Sequence, residues 1–482
     1  MRHNSSKLAS VGIGAMLLVT ACGGGAAPAS SAPASPPPAS SAAAKPSVAA
    51  SASASAKPAA STAASASGAA SAAAKPGGSA AATGAAKLTD GKVVTGVIND
   101  MTMIYADLGG KNSVAAAQMA ADDWEAKNGK GSIGGPIEIV SADHQNKPDV
   151  ATNKASEFYD RNGVDMITDT PTSSTALAIA DVARQKHKLY IPTGAASSEL
   201  TEGKAYPNGS GGGVCNPYTY HYGYDTYMLA FGTAPTVIQN GGKDWYIIYP
   251  NYAYGQDMNR SFTKAIQAGG GKVLASDPSP FPNTSGDFSN LLLKAPTLKP
   301  QVLGAMQAGG DLVNVIKQYN EFKLKDQKIQ LAIGLLFDTD IKSVGPDAVA
   351  GVYYTTPWLW SWDDASKAWA DKFKAKTGSL PTFDHAAVYS ATYQYLDAVK
   401  RAGTDDADAV VKALDGYKFN DMFVRNGTIR HKDHLLVHDV LSAQVKPQSQ
   451  ITTPGDYSKI VNTVAADKAF RPEAESTCTM YS

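Results

Sequence analysis

Short runs of apolar residues alternate with amphipathic segments along most of the chain. The run KVVTGVI at 92–98 predicts a strand, 110–128 predicts a helix, and 137–142 predicts the next strand. A second helix is predicted from Pro148, because proline at the first helical position and Asp149 in the first turn are typical of a helix start. This repetition of strand and helix with short loops indicates a doubly wound α/β fold.

The segment 164–198 is the clearest example of this pattern. A buried strand ends in the hydroxyl-rich loop 170–175, a helix follows, and a second short strand ends in the small-residue loop 193–198. A strand–helix–strand unit has parallel strands and a right-handed connection, so the two loops lie side by side at the carboxyl ends of neighbouring strands. That edge of an open α/β sheet is where ligands bind.

These two loops carry hydroxyl and backbone N–H groups but no lysine or arginine. Ser173, Ser174 and Ser197 offer hydroxyls, and the amides at the start of the helix suit a carboxylate. We therefore predict a site that holds a small anionic group through neutral donors. The competing interpretation is that Ser173 and Ser174 only cap the helix.

A second series of strands and helices begins at residue 243 with the run KDWYIIY. It is followed by a pattern of alternate tryptophans from Trp358, by helical segments at 365–377 and 385–403, and by a predicted closing strand at 437–445. The roughly 395 residues from Leu88 onwards exceed what one core usually supports, so we expect two lobes.

The first 22 residues have the pattern of an export signal. Basic residues precede an apolar run at 11–20, which is shorter than the roughly 18–20 residues of a membrane span. The tetrapeptide VTAC that ends at Cys22 resembles a bacterial lipobox, which implies cleavage before Cys22 and lipidation of its sulfur. We expect an exported protein, lipid-anchored to the cell membrane and facing the periplasm or the cell exterior. The competing interpretation, an ordinary secretory signal, also exports the chain.

Residues 23–87 consist almost wholly of alanine, serine, proline and glycine. A segment without large apolar side chains cannot offset its ordering entropy, so we predict a disordered tether without chemistry of its own.

Charge and cysteine content restrict the remaining possibilities. The 43 basic and 43 acidic residues balance, and no basic stripe indicates binding to nucleic acid. After Cys22 only Cys215 and Cys478 remain, and two cysteines in an oxidising compartment most simply pair. We predict a Cys215–Cys478 disulfide that fastens the C-terminal tail to the end of the first lobe.

Neither a metal site nor a cofactor site is predicted. His431, His434 and His438 have mixed spacing that straddles a predicted strand start, which does not fit a zinc site. Ser261 and Lys264 match a Ser-x-x-Lys string, but they fall within a predicted helix among apolar neighbours. We predict that the protein is not an enzyme, because an exported hydrolase using Ser173 or Ser174 would need a nearby base.

Six segments, in their order and spacing, resemble the type I periplasmic solute-binding proteins of ABC importers, in the branched-chain amino acid-binding group. They are GVINDM at 96–101, SSTA at 173–176, PTGAAS at 192–197, YAYGQD at 252–257, QAGGD at 307–311 and YYTTPW at 353–358. The resemblance implies two Rossmann-like lobes joined by three crossovers, with residues 92–217 and 358–436 in lobe 1 and 218–357 and 437–482 in lobe 2. Closure of such lobes traps the ligand between them.

The resemblance also implies which residues bind the ligand. The carboxylate-binding residues would be Ser173, Ser174, Ala195, Ala196 and Ser197. From the second lobe Tyr254 would face the ligand, with Tyr252 close by. Asp100 and Gln307 lie in two further matching segments and complete the expected set.

Whether the ligand carries an amine is open. Asp338 lies where relatives place an acid for the ligand ammonium, but Phe337 beside it leaves the register undecided. If Phe337 faces inward, Tyr105, Tyr252, Phe337 and Trp358 would wall an aromatic or apolar acid. The competing interpretation of these aromatic residues is core packing.

The implied function is capture of an amino acid or an aromatic carboxylate for an ABC importer, by a monomer that works with a membrane permease. A sensing module for a membrane receptor is the alternative, because fold alone does not separate the two.

Overall fold

The structure is a computed structural model that describes residues 85–206 and 212–481. The predicted signal peptide at 1–22, with Cys22, and the predicted tether as far as residue 84 lie outside the described residues. Within the described ranges, every helix is too short or too polar to cross a lipid bilayer.

Lobe 1 is built on a parallel four-stranded sheet with the order β2-β1-β3-β4. Its strands are β1 (Val93–Asn99), β2 (Ile137–Asp143), β3 (Met166–Asp169) and β4 (Leu189–Pro192). The connecting helices are α1 (Gly110–Asn128), α2 (Pro148–Arg161) and α3 (Ser173–Lys186). Every residue of β1 and β3 is buried, as expected for central strands of a parallel sheet that helices cover on both faces.

Lobe 2 repeats this plan with the strand order β6-β5-β7-β8. Its parallel strands are β5 (Asp244–Pro250), β6 (Lys272–Ser279), β7 (Val302–Ala305) and β8 (Gln330–Ile333). The helices are α4 (Thr226–Gln239), α5 (Ala253–Ala268), α6 (Ser289–Leu292), α7 (Ala295–Leu298), α8 (Gly309–Glu321) and α9 (Asp338–Val344). Strand β9 (Tyr353–Thr356) then begins a separate antiparallel sheet.

The chain next returns to lobe 1, where α11 packs along α1. This part contains α10 (Asp364–Thr377), α11 (Phe383–Ala402), α12 (Ala407–Leu414), β10 (Lys418–Phe419), β11 (Gly427–Ile429) and β12 (Leu436–Val437). It then enters lobe 2 again with β13 (Val440–Val445), β14 (Ser458–Val464) and the short helix α13 (Ala466–Ala469). Strand β13 pairs antiparallel with both β9 and β14.

The predicted fold class is confirmed: two doubly wound lobes are joined by three passages of the chain. The prediction of one closing strand at 437–445 is wrong. The segment divides into β12 and β13, which belong to different sheets, because the third passage between the lobes lies at His438 and Asp439.

The C-terminal tail is fastened to the segment that leaves lobe 1. Cys215 and Cys478 form a disulfide, with Cα atoms 5.9 Å apart and a sequence separation of 263. Nearby, the buried Glu202 carboxylate accepts a hydrogen bond from the Thr477 N–H at 2.8 Å and forms an ion pair with Arg471. Covalent and polar contacts therefore hold the tail at one place.

Asp225 makes the stability of the fold depend on pH. It precedes α4, where its carboxylate accepts a hydrogen bond from the Met228 N–H at 2.7 Å. Burial raises the pKa of Asp225 to about 7, and the nearby Asp257 charge adds to this. Because the folded pKa is above the unfolded value, this stabilisation is complete below pH 4 and is lost as pH rises through 7.

Asn caps a helix as well as Asp does and carries no charge. We therefore expect Asp225→Asn to be more stable than the wild type at pH 8, by on the order of 2 kcal/mol, with little difference near pH 4. Urea unfolding at both pH values measures this. In the matched control, Asp363→Asn before α10, the aspartate pairs with Arg425, so this change should lower stability at pH 8. An Asp225→Asn effect that is equal at both pH values would contradict the prediction.

Candidate ligand-binding site

A small, largely filled cavity lies where the two lobes meet. Lobe 1 and the first passage between the lobes contribute Tyr105, Leu108, Pro171, Gly194, Ala196 and Tyr224, and lobe 2 contributes Tyr252, Tyr254, Ala308 and Leu335. All of these lining residues are uncharged. The surrounding side chains leave room for no more than about one water molecule, so a larger ligand fits here only when the walls move apart.

The two small-residue loops lie side by side on the lobe 1 side of this cavity. Strands β3 and β4 are parallel, and their last residues, Asp169 and Pro192, are paired in register. The Ser197 N–H donates a hydrogen bond to Ser173 Oγ at 3.2 Å, which joins the loops directly. Thr172, not Ser173 or Ser174, is the N-cap residue of α3.

The loop after β3 has an unusual backbone. Asp169 and Thr170 both have positive φ, 79° and 70°. This region is costly for a β-branched residue and persists only where the surroundings enforce it, as they commonly do at binding sites. Here Thr170 Oγ1 donates a hydrogen bond to the Ile98 carbonyl at 2.8 Å, which fixes the turn against β1.

Neutral side chains behind the second loop hold its carbonyl groups. Burial lowers the pKa of His221 to about 4, so its imidazole is neutral and Nε2 donates to the Ala195 carbonyl at 2.7 Å. The Tyr224 hydroxyl donates to the Gly194 carbonyl at 2.5 Å. These two carbonyls are therefore engaged within the protein, as are the N–H groups of Gly194, Ser197 and Ser198.

Tyrosines dominate the opposite side of the cavity. The hydroxyls of Tyr105 in lobe 1 and Tyr252 in lobe 2 are 2.8 Å apart, and Phe281 stacks on Tyr252 at 3.8 Å. Burial raises the pKa of Tyr105, Tyr252 and Tyr254, so all three stay neutral. Within the described chain, the buried Tyr254 hydroxyl has no hydrogen-bond partner, so it is free to contact a ligand.

The rims of the two lobes approach each other closely at Gly309. Gly309 has a φ of 56°, and a Cβ atom there would lie 2.8 Å from the Ile104 carbonyl and 3.0 Å from the Tyr105 ring. Only glycine permits this approach, so Gly309 lets the α8 end of lobe 2 close on the loop that carries Tyr105.

Asp257 on α5 links lobe 2 to the second loop of lobe 1. Its buried carboxylate accepts hydrogen bonds from the Ser198 N–H at 2.8 Å and from Thr226 Oγ1 at 2.5 Å. It also accepts from the Tyr206 hydroxyl at 2.7 Å and pairs with Arg260 at 2.9 Å. Asp257 therefore fixes the position of this loop relative to α5.

The structure places four predicted ligand-binding residues in the cavity wall: Tyr105, Ala196, Tyr252 and Tyr254. Four others lie in the two loops but not in the cavity wall: Ser173, Ser174, Ala195 and Ser197. Asp100 lies on a third loop, after β1. Ser173, Ala195 and Ser197 are fully buried, whereas Ser174 is half-buried at the start of α3.

Asp100 has a structural role. Its carboxylate accepts hydrogen bonds from the N–H groups of Met103 at 2.7 Å and Tyr105 at 2.8 Å, and from Asn146 Nδ2 at 2.6 Å. These bonds shape the loop that carries Tyr105. Gln307 is also buried outside the wall, where its Nε2 donates to Ser279 Oγ at 3.3 Å.

The remaining three expected residues do not line the cavity. Phe337 is buried in a stack on Phe383 of lobe 1, with ring centroids 4.3 Å apart, and so contacts the other lobe rather than the cavity. Asp338 is half-buried at the start of α9, and burial raises its pKa to about 7. Trp358 is buried, and its Nε1 donates to the Met422 carbonyl at 2.9 Å.

Six lining residues were not singled out from the sequence: Leu108, Pro171, Gly194, Tyr224, Ala308 and Leu335. Pro171 and Gly194 lie within the two predicted loops and could have been inferred from them. Tyr224 is the fourth of the alternate tyrosines 218, 220, 222 and 224, and only the path of the chain between the lobes distinguishes it.

The three C-terminal histidines serve other purposes. His438 Nε2 donates to the Gly223 carbonyl at 2.8 Å, His434 stacks on Tyr220 at 4.1 Å, and His431 contacts Asp415 at 2.6 Å. They face different partners. Within residues 85–206 and 212–481, no set of three or more His, Cys, Asp or Glu side chains is arranged to hold a metal.

Comparison with known proteins agrees with this architecture. Residues 92–450 match the family model described as periplasmic binding protein. A periplasmic binding protein from Burkholderia mallei is 38% identical, with a TM-score of 0.75 over 82% of this chain and 100% of its own. A branched chain amino acid ABC transporter periplasmic ligand-binding protein from Burkholderia xenovorans is 36% identical, with a TM-score of 0.70 over 80% and 99%.

Two further relatives are more distant in sequence. Leu/Ile/Val-binding protein homolog 8 from Brucella abortus is 27% identical over 333 residues, which are 64% of this chain and 76% of the relative. A solute binding protein from R. palustris, in complex with 4-hydroxybenzoate, is 20% identical, with a TM-score of 0.67 over 78% and 97%. The second of these shares the fold.

The family match covers well over half of the chain. It confirms the predicted family and the prediction that the protein is not an enzyme, because these proteins bind solutes for transport. The chain belongs to the periplasmic binding protein family, the exported solute-binding proteins of ABC transporters.

Proposed function

We propose that this protein captures a small carboxylate-bearing molecule between its lobes and delivers it to an ABC importer, and that the ligand needs no amine. The observation that carries this proposal is the uncharged lining of the cavity. An α-amino acid would bring a buried ammonium group, which requires an acidic partner. A simple acid requires only hydrogen-bond donors at one end and an apolar wall at the other.

The carboxylate is proposed to bind at the two loops of lobe 1. The first turn of α3 supplies unpaired N–H groups and the positive end of the helix dipole. The half-buried Ser174 hydroxyl and the loop Ala195–Ser197 lie beside it. Ser173 supports the site by fixing Ser197. Neutral donors of this kind bind an anion without a lysine or arginine.

The rest of the ligand is proposed to be an aromatic ring. Leu108, Ala308 and Leu335 supply apolar surface, and the tyrosines supply ring contacts. The free Tyr254 hydroxyl suits a ring that carries a hydroxyl group of its own. A benzoate or hydroxybenzoate satisfies both ends of the cavity, and the distant R. palustris protein with this fold binds such an acid.

A branched-chain amino acid is the second candidate. Similarity to the branched chain amino acid ABC transporter protein from Burkholderia xenovorans and to Leu/Ile/Val-binding protein homolog 8 from Brucella abortus favours it. It would require Asp338 to turn towards the cavity and ionise. The raised pKa of Asp338, caused by burial, opposes the second step.

Calorimetry with purified full chain separates these ligand classes. We expect 4-hydroxybenzoate or benzoate to bind at one site per chain, and benzyl alcohol, which lacks the carboxylate, to bind at least about 100-fold more weakly. L-Leucine tests the requirement for an amine. Tightest binding of L-leucine would contradict the aromatic assignment, and no binding of any acid would contradict the proposal as a whole.

The membrane association is part of the same proposal. A lipid on Cys22 would keep the solute-binding lobes near the permease. Cell fractionation checks this: the wild-type chain should be found with membranes, and Cys22→Ala should not be lipidated. Mass spectrometry that finds no acyl group on Cys22 in the exported protein would contradict it.

A further inference from the structure

The end of the chain leaves lobe 2 and crosses to lobe 1. Strand β14 pairs with β13 inside lobe 2, and the short helix α13 that follows packs against α4 of the same lobe. Phe470, the next residue, is buried, and its ring centroid lies 5.7 Å from that of His438, at the third passage between the lobes. The crossing segment is therefore anchored to lobe 2 as far as Phe470.

The other end of the crossing segment is held by lobe 1. Val214 packs against the lobe 1 core, and the disulfide of its neighbour Cys215 joins Cys478 to this lobe. The Gly203 N–H donates a hydrogen bond to Thr477 Oγ1 at 3.0 Å, and a Cβ atom on Gly203 would lie 2.2 Å from the Thr477 carbonyl oxygen. Glycine at position 203 therefore lets the tail lie directly against lobe 1.

Arg471 lies between these two anchors and contacts both lobes. Its guanidinium forms an ion pair with Glu202 of lobe 1, and both side chains are buried. The same guanidinium lies over the Tyr227 ring of α4 in lobe 2, 5.4 Å from the ring centroid. Its carbonyl accepts a hydrogen bond from Arg430 Nη1 at 2.6 Å. The lobe 2 anchor at Phe470 and a buried charged contact with lobe 1 therefore involve adjacent residues.

We propose that residues 470–478 form a strap that limits how far the two lobes open. Lobes of this kind open by rotation about the segments that join them, and here those are the three passages of the chain. The strap is a fourth connection, closed covalently by the disulfide, and it removes part of that freedom. The Arg471–Glu202 ion pair resists separation directly. The disulfide keeps the two partners close together, so the pair re-forms each time it breaks.

The consequence for binding rests on the proposed function. Contacts that are present when the lobes touch and are lost on opening favour the closed arrangement. Without the strap a larger share of the molecules is open, so a ligand held between the lobes binds more weakly. Calorimetry with 4-hydroxybenzoate should show a loss of affinity of about threefold or more when the strap is released.

Amide hydrogen exchange on the full chain measures opening without any ligand. The Ser198 N–H of lobe 1 donates to Asp257 of lobe 2 at 2.8 Å, so it is protected only while the lobes touch. We expect Cys215→Ser/Cys478→Ser to raise the exchange rate at Ser198 by at least about tenfold. The amide of Ile167, buried in β3 within lobe 1, should exchange as slowly as in the wild type. Because no acid is present, exchange tests the strap whether or not the ligand assignment holds.

A second variant, a reductant and a control make the test independent of any one substitution. Gly203→Ala pushes the tail away from lobe 1 while both cysteines remain, and it should also speed exchange at Ser198. Reduction of the folded wild type should act like the double substitution. Lys264→Ala removes only an exposed ion pair with Glu475 and should change nothing. Unchanged exchange at Ser198 after the disulfide is broken would overturn the proposal. Equal acceleration at Ser198 and Ile167 would indicate a general loss of stability and would overturn it as well.

Discussion

Replacing Ala196 with leucine is expected to weaken ligand binding by about 100-fold. Ala196 is 2% exposed and lines the cavity beside the proposed carboxylate loops. Three added carbon atoms would project into a space that is already tightly lined, and overfilling a packed site costs about 1–3 kcal/mol. Calorimetry with 4-hydroxybenzoate or benzoate, whichever binds the wild type more tightly, measures the loss of affinity. Thermal unfolding checks that the variant folds.

A milder variant tests the chemistry of the same loops. Ser174→Ala removes a half-buried hydroxyl, so the fold should be unaffected, and the loss of one hydrogen bond to a charged carboxylate should weaken binding about tenfold. Affinity that is unchanged in both variants would mean that the acid does not bind at these loops.

Asp257→Ala is expected to lower the free energy of unfolding by about 3–5 kcal/mol. The change leaves the Ser198 N–H, the Thr226 and Tyr206 hydroxyls and the Arg260 guanidinium without their shared acceptor. Removing one partner from a buried charged network is costly because the other polar groups stay buried. Urea unfolding measures the difference.

The control for Asp257 is on the same helix. Lys264 forms an exposed ion pair with Glu475 at 2.9 Å, and such pairs contribute about 0–1 kcal/mol, so Lys264→Ala should change stability little. Since Asp257 also fixes the second loop, its loss should weaken ligand binding as well. Equal effects of the two substitutions would show that Asp257 has no special role.

Much of the fold could be predicted because the pattern of apolar residues is local. The predicted helix at 110–128 coincides with α1, and the two loops after β3 and β4 are adjacent because parallel strands end at the same edge. The division of 437–445 could not be foreseen. Both halves are apolar, and only the position of the other lobe makes the chain change sheets at His438.

The residues that line the cavity were harder to predict, because lining depends on which side chains face the other lobe. Tyr254 and Tyr252 were expected from the resemblance to the family, and Tyr105 was expected as an aromatic wall residue. Phe337 and Trp358 are aromatic residues of the same kind, but they pack elsewhere. Phe337 stacks on Phe383, and Trp358 is buried in the core, where it donates to the Met422 carbonyl. Asp257 was overlooked because its partners, from residues 198 to 226, come together only in the folded chain.

The central claim is that an acid binds between the lobes with its carboxylate at the two loops of lobe 1. The most direct test is a crystal structure of the protein with 4-hydroxybenzoate or benzoate, whichever binds more tightly. We expect the acid between the lobes, with its carboxylate within hydrogen-bond distance of the loops 170–175 and 193–198 and its ring against Tyr254. An acid bound outside the space between the lobes, or one whose carboxylate faces lobe 2, would contradict it.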